Sequence, residues 1–135
     1  MKVILYTYFA TLFTLCLLDA IYLGGFAKSF FDSQLGPGVL LKTPVIPAAA
    51  AFYLIYAAGI VYFLALPMAG SSNYGHTAMR GAIFGFIAYM TYDLTNMATL
   101  NGWNWTIVAV DLTWGSVATA LGTLAGSFVA GAAKR

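Results

Sequence analysis

The sequence predicts an all-α integral membrane protein, a four-transmembrane-helix bundle with both termini in the cytoplasm. Three observations predict it. Of 135 residues, 61% are hydrophobic and 7% charged, with a mean hydropathy of +0.85, whereas soluble domains carry roughly 25% charged residues. The apolar residues fall into four runs, each near the roughly 20 residues that a spanning helix needs. Those runs are too long, and alternate too little, to be the strands of a membrane barrel. The length leaves room for one membrane domain, residues 1–135. A net charge of +2 comes from a few Lys and Arg beside the apolar runs, so no nucleic-acid partner is expected; the expected partners are membrane lipids. One cysteine, Cys16, and one histidine, His76, leave no disulfide and no Cys/His metal site. No cofactor is expected. Cys16 lies in an apolar run and reads as a small core residue.

The first helix is expected over residues 3–26. A signal peptide has a shorter apolar core, about 7–15 residues, and a small-residue cleavage site. Here the run is longer, Asp19 interrupts it, and Ala27-Lys28-Ser29 suits cleavage poorly, so the helix is read as retained. Lys28 to Pro44 follows as a polar connection broken at Gly36-Pro37-Gly38, with Phe30 and Phe31 placing part of it along the membrane interface. The second helix is expected over residues 47–66, opened by Pro47 in its first turn and closed by Pro67. Gly70 to Gly75 is a loop. The third helix covers residues 77–100 and the fourth 105–130, with Asn101-Gly102 as the turn between them.

Four spans place both termini on one side, together with Lys2, Arg80, Lys134 and Arg135, against Lys28 and Lys42 on the other. The positive-inside rule makes the richer side cytoplasmic. Trp103 and Trp105 then fall in an outer aromatic belt.

Asp19, Asp93 and Asp111 are three of only four acidic residues, and each lies inside a different apolar run. A carboxylate at the centre of a spanning helix costs at least about 2.5–3.5 kcal/mol, so each marks a functional site by default. Each is some seven or eight residues from its outer helix end, roughly 10–12 Å, which puts all three at one depth in the outer half. At 100° per residue Asp19 shares a stripe with Tyr8, Leu12, Leu15 and Tyr22. Asp93 shares one with Phe86, Tyr89, Asn96 and Met97, and Asp111 one with Trp114, Gly115, Ala118 and Gly122. Tyr22, Asn96 and Trp114 each follow an aspartate by three residues, which puts a hydrogen-bond donor for each carboxylate one turn away on the same face. The candidate polar cluster is therefore Asp19, Tyr22, Tyr89, Asp93, Asn96, Asp111 and Trp114.

The bland alternative is a polar cluster that only organises helix packing. Interhelical polar contacts in membranes average about 0.6 kcal/mol, and Ser, Thr or Asn supply them at lower cost than Asp. Three neighbouring acids cannot all ionise without a cation, so at least one holds a proton or faces a bound cation. Two functional classes follow: binding or movement of a proton, cation or cationic polar ligand, and acid/base chemistry by an Asp pair on a lipid or other apolar substrate. No nucleophile stands out for the second, so the binding class ranks first and enzymatic activity stays open.

On the last helix Ala118, Gly122, Gly126 and Ala130 recur every four residues, and Gly115 extends the small surface; such stripes let helices approach closely. Sharing a face with Asp111, the stripe is assigned to packing within the bundle, while a homo-oligomer or a membrane-complex partner stays open. Arg80 is offset from Asp93 in angle and depth and is read as reaching lipid phosphate instead.

The strings Leu18-Asp19-Ala20-Ile21-Tyr22-Leu23-Gly24, Phe52-Tyr53-Leu54-Ile55-Tyr56-Ala57-Ala58-Gly59, Tyr92-Asp93-Leu94-Thr95-Asn96-Met97-Ala98-Thr99-Leu100 and Asp111-Leu112-Thr113-Trp114-Gly115, in that order, resemble a family of small bacterial predicted membrane proteins known as domain of unknown function 2177. The resemblance runs over nearly the whole chain. It implies a four-helix protein of the bacterial inner membrane and supplies no activity. Asp19-x-x-Tyr22 and Asp93-x-x-Asn96 also suggest a faint parallel repeat between the two halves.

Overall fold

The computed structural model describes residues 1–134 and is all-helical. Helix α1 (Lys2–Tyr22) runs through a π-helical turn at Leu23–Ala27 into α2 (Lys28–Leu35). Helix α3 (Ile46–Ile60) ends in a second π-helical turn at Val61–Ala65, and α4 (Tyr74–Thr99) and α5 (Trp105–Ala132) form a hairpin. The other three helical columns pack around α5, with α4 and α1 on its flanks and α3 lying mainly against α1.

Packing inverts the pattern of a soluble domain. Ile4, Phe9, Phe13, Ile55, Ile83 and Phe128 are exposed, while Thr7, Thr11, Thr77, Thr119 and Thr123 are fully buried. Apolar side chains outside and hydroxyls inside suit a lipid solvent, where small residues and short polar groups hold helices together. The inward stripes fall at multiples of four residues: Thr7, Thr11, Leu15 and Asp19 on α1, and Thr77, Gly81, Gly85 and Asp93 on α4, with half-buried Tyr89 between the last two. Threonine fits this interior because its hydroxyl can bond within its own helix, as in the 2.7 Å bonds from Thr7 to the Val3 carbonyl and from Thr123 to the Thr119 carbonyl. Thr119 instead pairs with Tyr56, and the buried Thr11 hydroxyl has no partner among the described residues.

The stripe Ala118, Gly122, Gly126 and Ala130 is buried inside the bundle. A Cβ on Gly122 would meet Leu15, and one on Gly126 would meet Thr11 and Ala65. On the other side of α5, Gly81 and Gly85 bring α4 against the backbone of Ala120 and Gly115.

Among the described residues, three helices are long and apolar enough to cross a membrane: Lys2–Leu35, Ile46–Ala65 and Trp105–Ala132. Helix α4 has the length, 26 residues, but Gly75, His76, Arg80 and Asp93 lower its apolarity.

The structure corrects several expectations. The first helix does not stop at Phe26; it continues to Leu35, giving 34 residues in all. Lys28 to Leu35 is therefore helix rather than loop. Nothing before Gly36 breaks it, whereas Gly36 caps it at φ +87°, a region other residues rarely adopt. Helix α4 starts at Tyr74, three residues earlier than expected, because the Asn73 side chain accepts from the His76 amide at 3.0 Å. Asn104 caps α5 in the same way, accepting from the Thr106 and Ile107 amides. Cys16 is exposed rather than in the core, since Leu15 and Asp19 fix the inward face of α1. Cys16→Ala is expected to change stability by less than about 0.5 kcal/mol, checked by thermal unfolding in detergent.

Candidate functional site

All three inward stripes end in an aspartate at the same end of the bundle, where α4 turns into α5. Register follows from the glycines. Gly85 faces Gly115 and Thr119 on α5, and Tyr89 packs on Gly115, so Asp93, one turn further, lies about level with Asp111. Asp19 reaches α5 at Trp114. The three carboxylates therefore fall within about two turns of α5, roughly 11 Å along its axis. Asp19 and Asp93 both lie within electrostatic reach of Asp111. Asp93 is 0% exposed, Asp19 8% and Asp111 9%.

Their partners differ. Asp19 is fully engaged: Oδ2 accepts from the Tyr53 hydroxyl at 2.8 Å and Oδ1 from the Trp114 indole at 2.8 Å. Asp93 Oδ1 accepts a longer bond from the Trp103 indole, 3.2 Å, and its Oδ2 is buried without a partner. Among the described residues no side-chain donor reaches Asp111. Three of six carboxylate oxygens are thus satisfied. The nearest basic residue on α4, Arg80, is exposed and lies 13 residues from Asp93, about 20 Å along the helix.

The expectation that each aspartate is served by the residue three positions on fails in all three cases. Trp114 bonds Asp19 on α1 rather than Asp111 on its own helix, because a long indole clears its own turn and reaches the neighbouring column. It is held there by Tyr22, stacked on it at 4.2 Å between centroids with planes 8° apart. The Tyr22 hydroxyl is buried and unpartnered, and Asn96, half-buried, makes no side-chain bond to Asp93. The donors that sequence reasoning missed are Tyr53 and Trp103. Tyr53 sits on α3, which carries no acid to draw attention to it. Trp103, expected in an outer aromatic belt, turns inward instead, edge-on to Tyr92 at 5.8 Å.

A cavity of about 430 Å³ opens beside Asp111, lined by Phe52 and Tyr56 of α3 and by Ala88, Tyr89 and Tyr92 of α4. It lies where α3 and α4 diverge; the α3 column approaches α4 most closely lower down, at the Val61–Ala65 turn. Phe52 and Tyr92, 44% and 55% exposed, stand at its mouth on the flank of the bundle. Below, the Tyr56 hydroxyl is hydrogen-bonded to Thr119 at 2.7 Å, and Leu15, Ala57, Ile60 and Leu64 form a packed core. At the other end the α4–α5 turn is roofed by α2: Phe31 packs near Trp103, and Asn104 donates to Gln34. Among the described residues no group of three Asp, Glu, His or Cys side chains is placed to hold a metal ion.

Buried carboxylates within an inverted, apolar-surfaced helical bundle define a membrane protein with a polar site in its interior. The chain belongs to the family of predicted membrane proteins known as DUF2177, which it matches over residues 4–128. Comparisons with curated proteins and with solved structures gave no match.

Proposed function

We propose that this is a four-span protein of the bacterial inner membrane, both termini cytoplasmic, whose Asp19, Asp93 and Asp111 cluster binds a cation, a proton or a cationic polar ligand in the outer half of the bilayer. The observation that carries this is the mismatch between three buried acids and the donors offered to them. Half of the carboxylate oxygens lack a donor, and Asp111 faces a cavity without one. A buried anion left in that state is costly, and a cation or a proton is what relieves it. The charge distribution supports the orientation: Lys2, Arg80 and Lys134 lie towards the end remote from the aspartates, and Lys28 and Lys42 towards theirs.

Binding is favoured over passage, since the packing beneath Tyr56 closes the cavity on its inner side. The lateral mouth also supports a second reading, an Asp acid/base pair acting on a lipid or other apolar substrate. Proteoliposomes carrying wild type or Asp93→Asn separate these from transport. No proton or cation flux is expected in either, and a flux lost in Asp93→Asn would establish movement.

The proton form of this reading has a stability test. Where the folded cluster holds a proton that the unfolded chain releases, the folded state binds more protons and stability falls as pH rises. Thermal stability in detergent is expected to decline from about pH 5 to about pH 9 and to decline less in Asp93→Asn. Stability independent of pH, with each Asp→Asn as damaging as its Asp→Ala counterpart, would remove the shared proton.

A further inference from the structure

The cavity beside Asp111 has a composition that the need for a cation does not by itself explain. Four aromatic rings, Phe52, Tyr56, Tyr89 and Tyr92, share its wall with one carboxylate. The Phe52 and Tyr56 rings are nearly parallel, 17° apart, and Tyr89 is turned 67° from Tyr56, so the wall has surfaces in two orientations. Aromatic rings attract cations through their quadrupole, and several of them around one carboxylate suit an organic ammonium. At about 430 Å³ the space lies within the size range of small-molecule pockets. It is far larger than a bare metal ion needs.

We propose that Asp111 with Phe52, Tyr56, Tyr89 and Tyr92 forms a receptor for an alkylated ammonium group of the quaternary class. The proposal rests on the cation-binding reading of the cluster and names its ligand chemistry. Asp111 is nine-tenths buried, has no side-chain donor and borders the cavity, so it supplies the countercharge. A primary ammonium brings three N–H donors, each needing an acceptor. Here the wall offers mainly ring faces, four aromatic side chains against one carboxylate. A quaternary ammonium has no N–H to satisfy and presents alkyl groups to the rings, so it leaves no polar group unpaired. Phe52 and Tyr92, exposed at the mouth, can be entered from the flank by a free ammonium or by the headgroup of a lipid.

The test is titration of the protein in an uncharged maltoside detergent with tetramethylammonium, and with sodium at equal ionic strength, followed by calorimetry and by saturation-transfer NMR. Saturable tetramethylammonium binding that sodium does not displace is expected, lost in Asp111→Asn. Phe52→Leu, at an exposed position that leaves the core intact, is expected to weaken it by about 2- to 30-fold, and Tyr92→Leu likewise. Binding no tighter than that of sodium, or unchanged in Phe52→Leu and Tyr92→Leu, would overturn the proposal. If tetramethylammonium is ignored while stability still declines with pH, the ammonium receptor falls and the proton-holding cluster stands; loss of both removes both. The source follows from nanodiscs of phosphatidylglycerol with or without phosphatidylcholine. Suppression of tetramethylammonium binding by phosphatidylcholine identifies a lipid headgroup, and equal binding in both identifies a free ammonium.

Discussion

Asp19→Ala is expected to destabilise the bundle by about 1–3 kcal/mol, and Asp19→Asn by much less. Alanine removes the acceptor of two interhelical hydrogen bonds at once, from Tyr53 on α3 and Trp114 on α5. Such bonds are worth about 0.6 kcal/mol each in a membrane protein and up to about 1.7, and both donors are then left in an apolar interior. Asparagine keeps the size and one carbonyl oxygen for the indole. Its amide can donate to the Tyr53 hydroxyl, which turns to accept, since a hydroxyl does either. Thermal unfolding of the two variants in one detergent checks this. Equal losses would mean that the charge of Asp19, rather than its shape and its acceptors, holds α1, α3 and α5 together.

The second large effect is a pair of glycine substitutions with opposite signs. A Cβ on Gly85 would collide with the Gly115 carbonyl oxygen and with Thr119. A carbonyl within a helix cannot turn aside, so α4 and α5 must separate, and Gly85→Ala is expected to cost about 1–3 kcal/mol. Gly59, within α3, meets nothing within 4 Å, and Gly59→Ala is expected to stabilise by about 0.5–1 kcal/mol through helix propensity. Measured side by side, the two separate close approach from intrinsic preference. A neutral Gly85→Ala would show that the α4–α5 contact is looser than described.

The inward faces of α1, α4 and α5 were legible in the sequence because each carries an acid in an apolar run, and a charge that expensive fixes which face turns inward. The Ala118 to Ala130 stripe was legible for a related reason, since small residues every four positions leave a groove that a neighbour fills. What escaped was the pairing across helices. Stripe geometry ties Trp114 to Asp111 on its own helix, yet its indole bonds Asp19 on another column, a choice made by inter-column distance and by the Tyr22 stack. Tyr53 escaped because α3 has almost no amphipathic pattern, so nothing along it marks one tyrosine among several aromatics as inward. The π-helical turns at Leu23–Ala27 and Val61–Ala65 carry no residue signature of their own. The helical extension through Lys28–Leu35 was hidden by its polar composition, which reads as a loop until the lack of any breaker before Gly36 is weighed.

At 34 residues, α1 and α2 together span about 51 Å, against a hydrocarbon core of about 30 Å. The C-terminal part of this column covers the α4–α5 turn, with Phe31 near Trp103 and Gln34 bonded to Asn104. On the proposed placement in the bilayer, a solute reaching Asp111 from the flank would come from the lipid phase, and its effective concentration would be set by partitioning into the bilayer. Each methylene added to an alkyltrimethylammonium favours the bilayer by about 0.8 kcal/mol, close to a fourfold enrichment. Apparent affinity would then climb along such a series in membranes even if the added carbons never touched the protein.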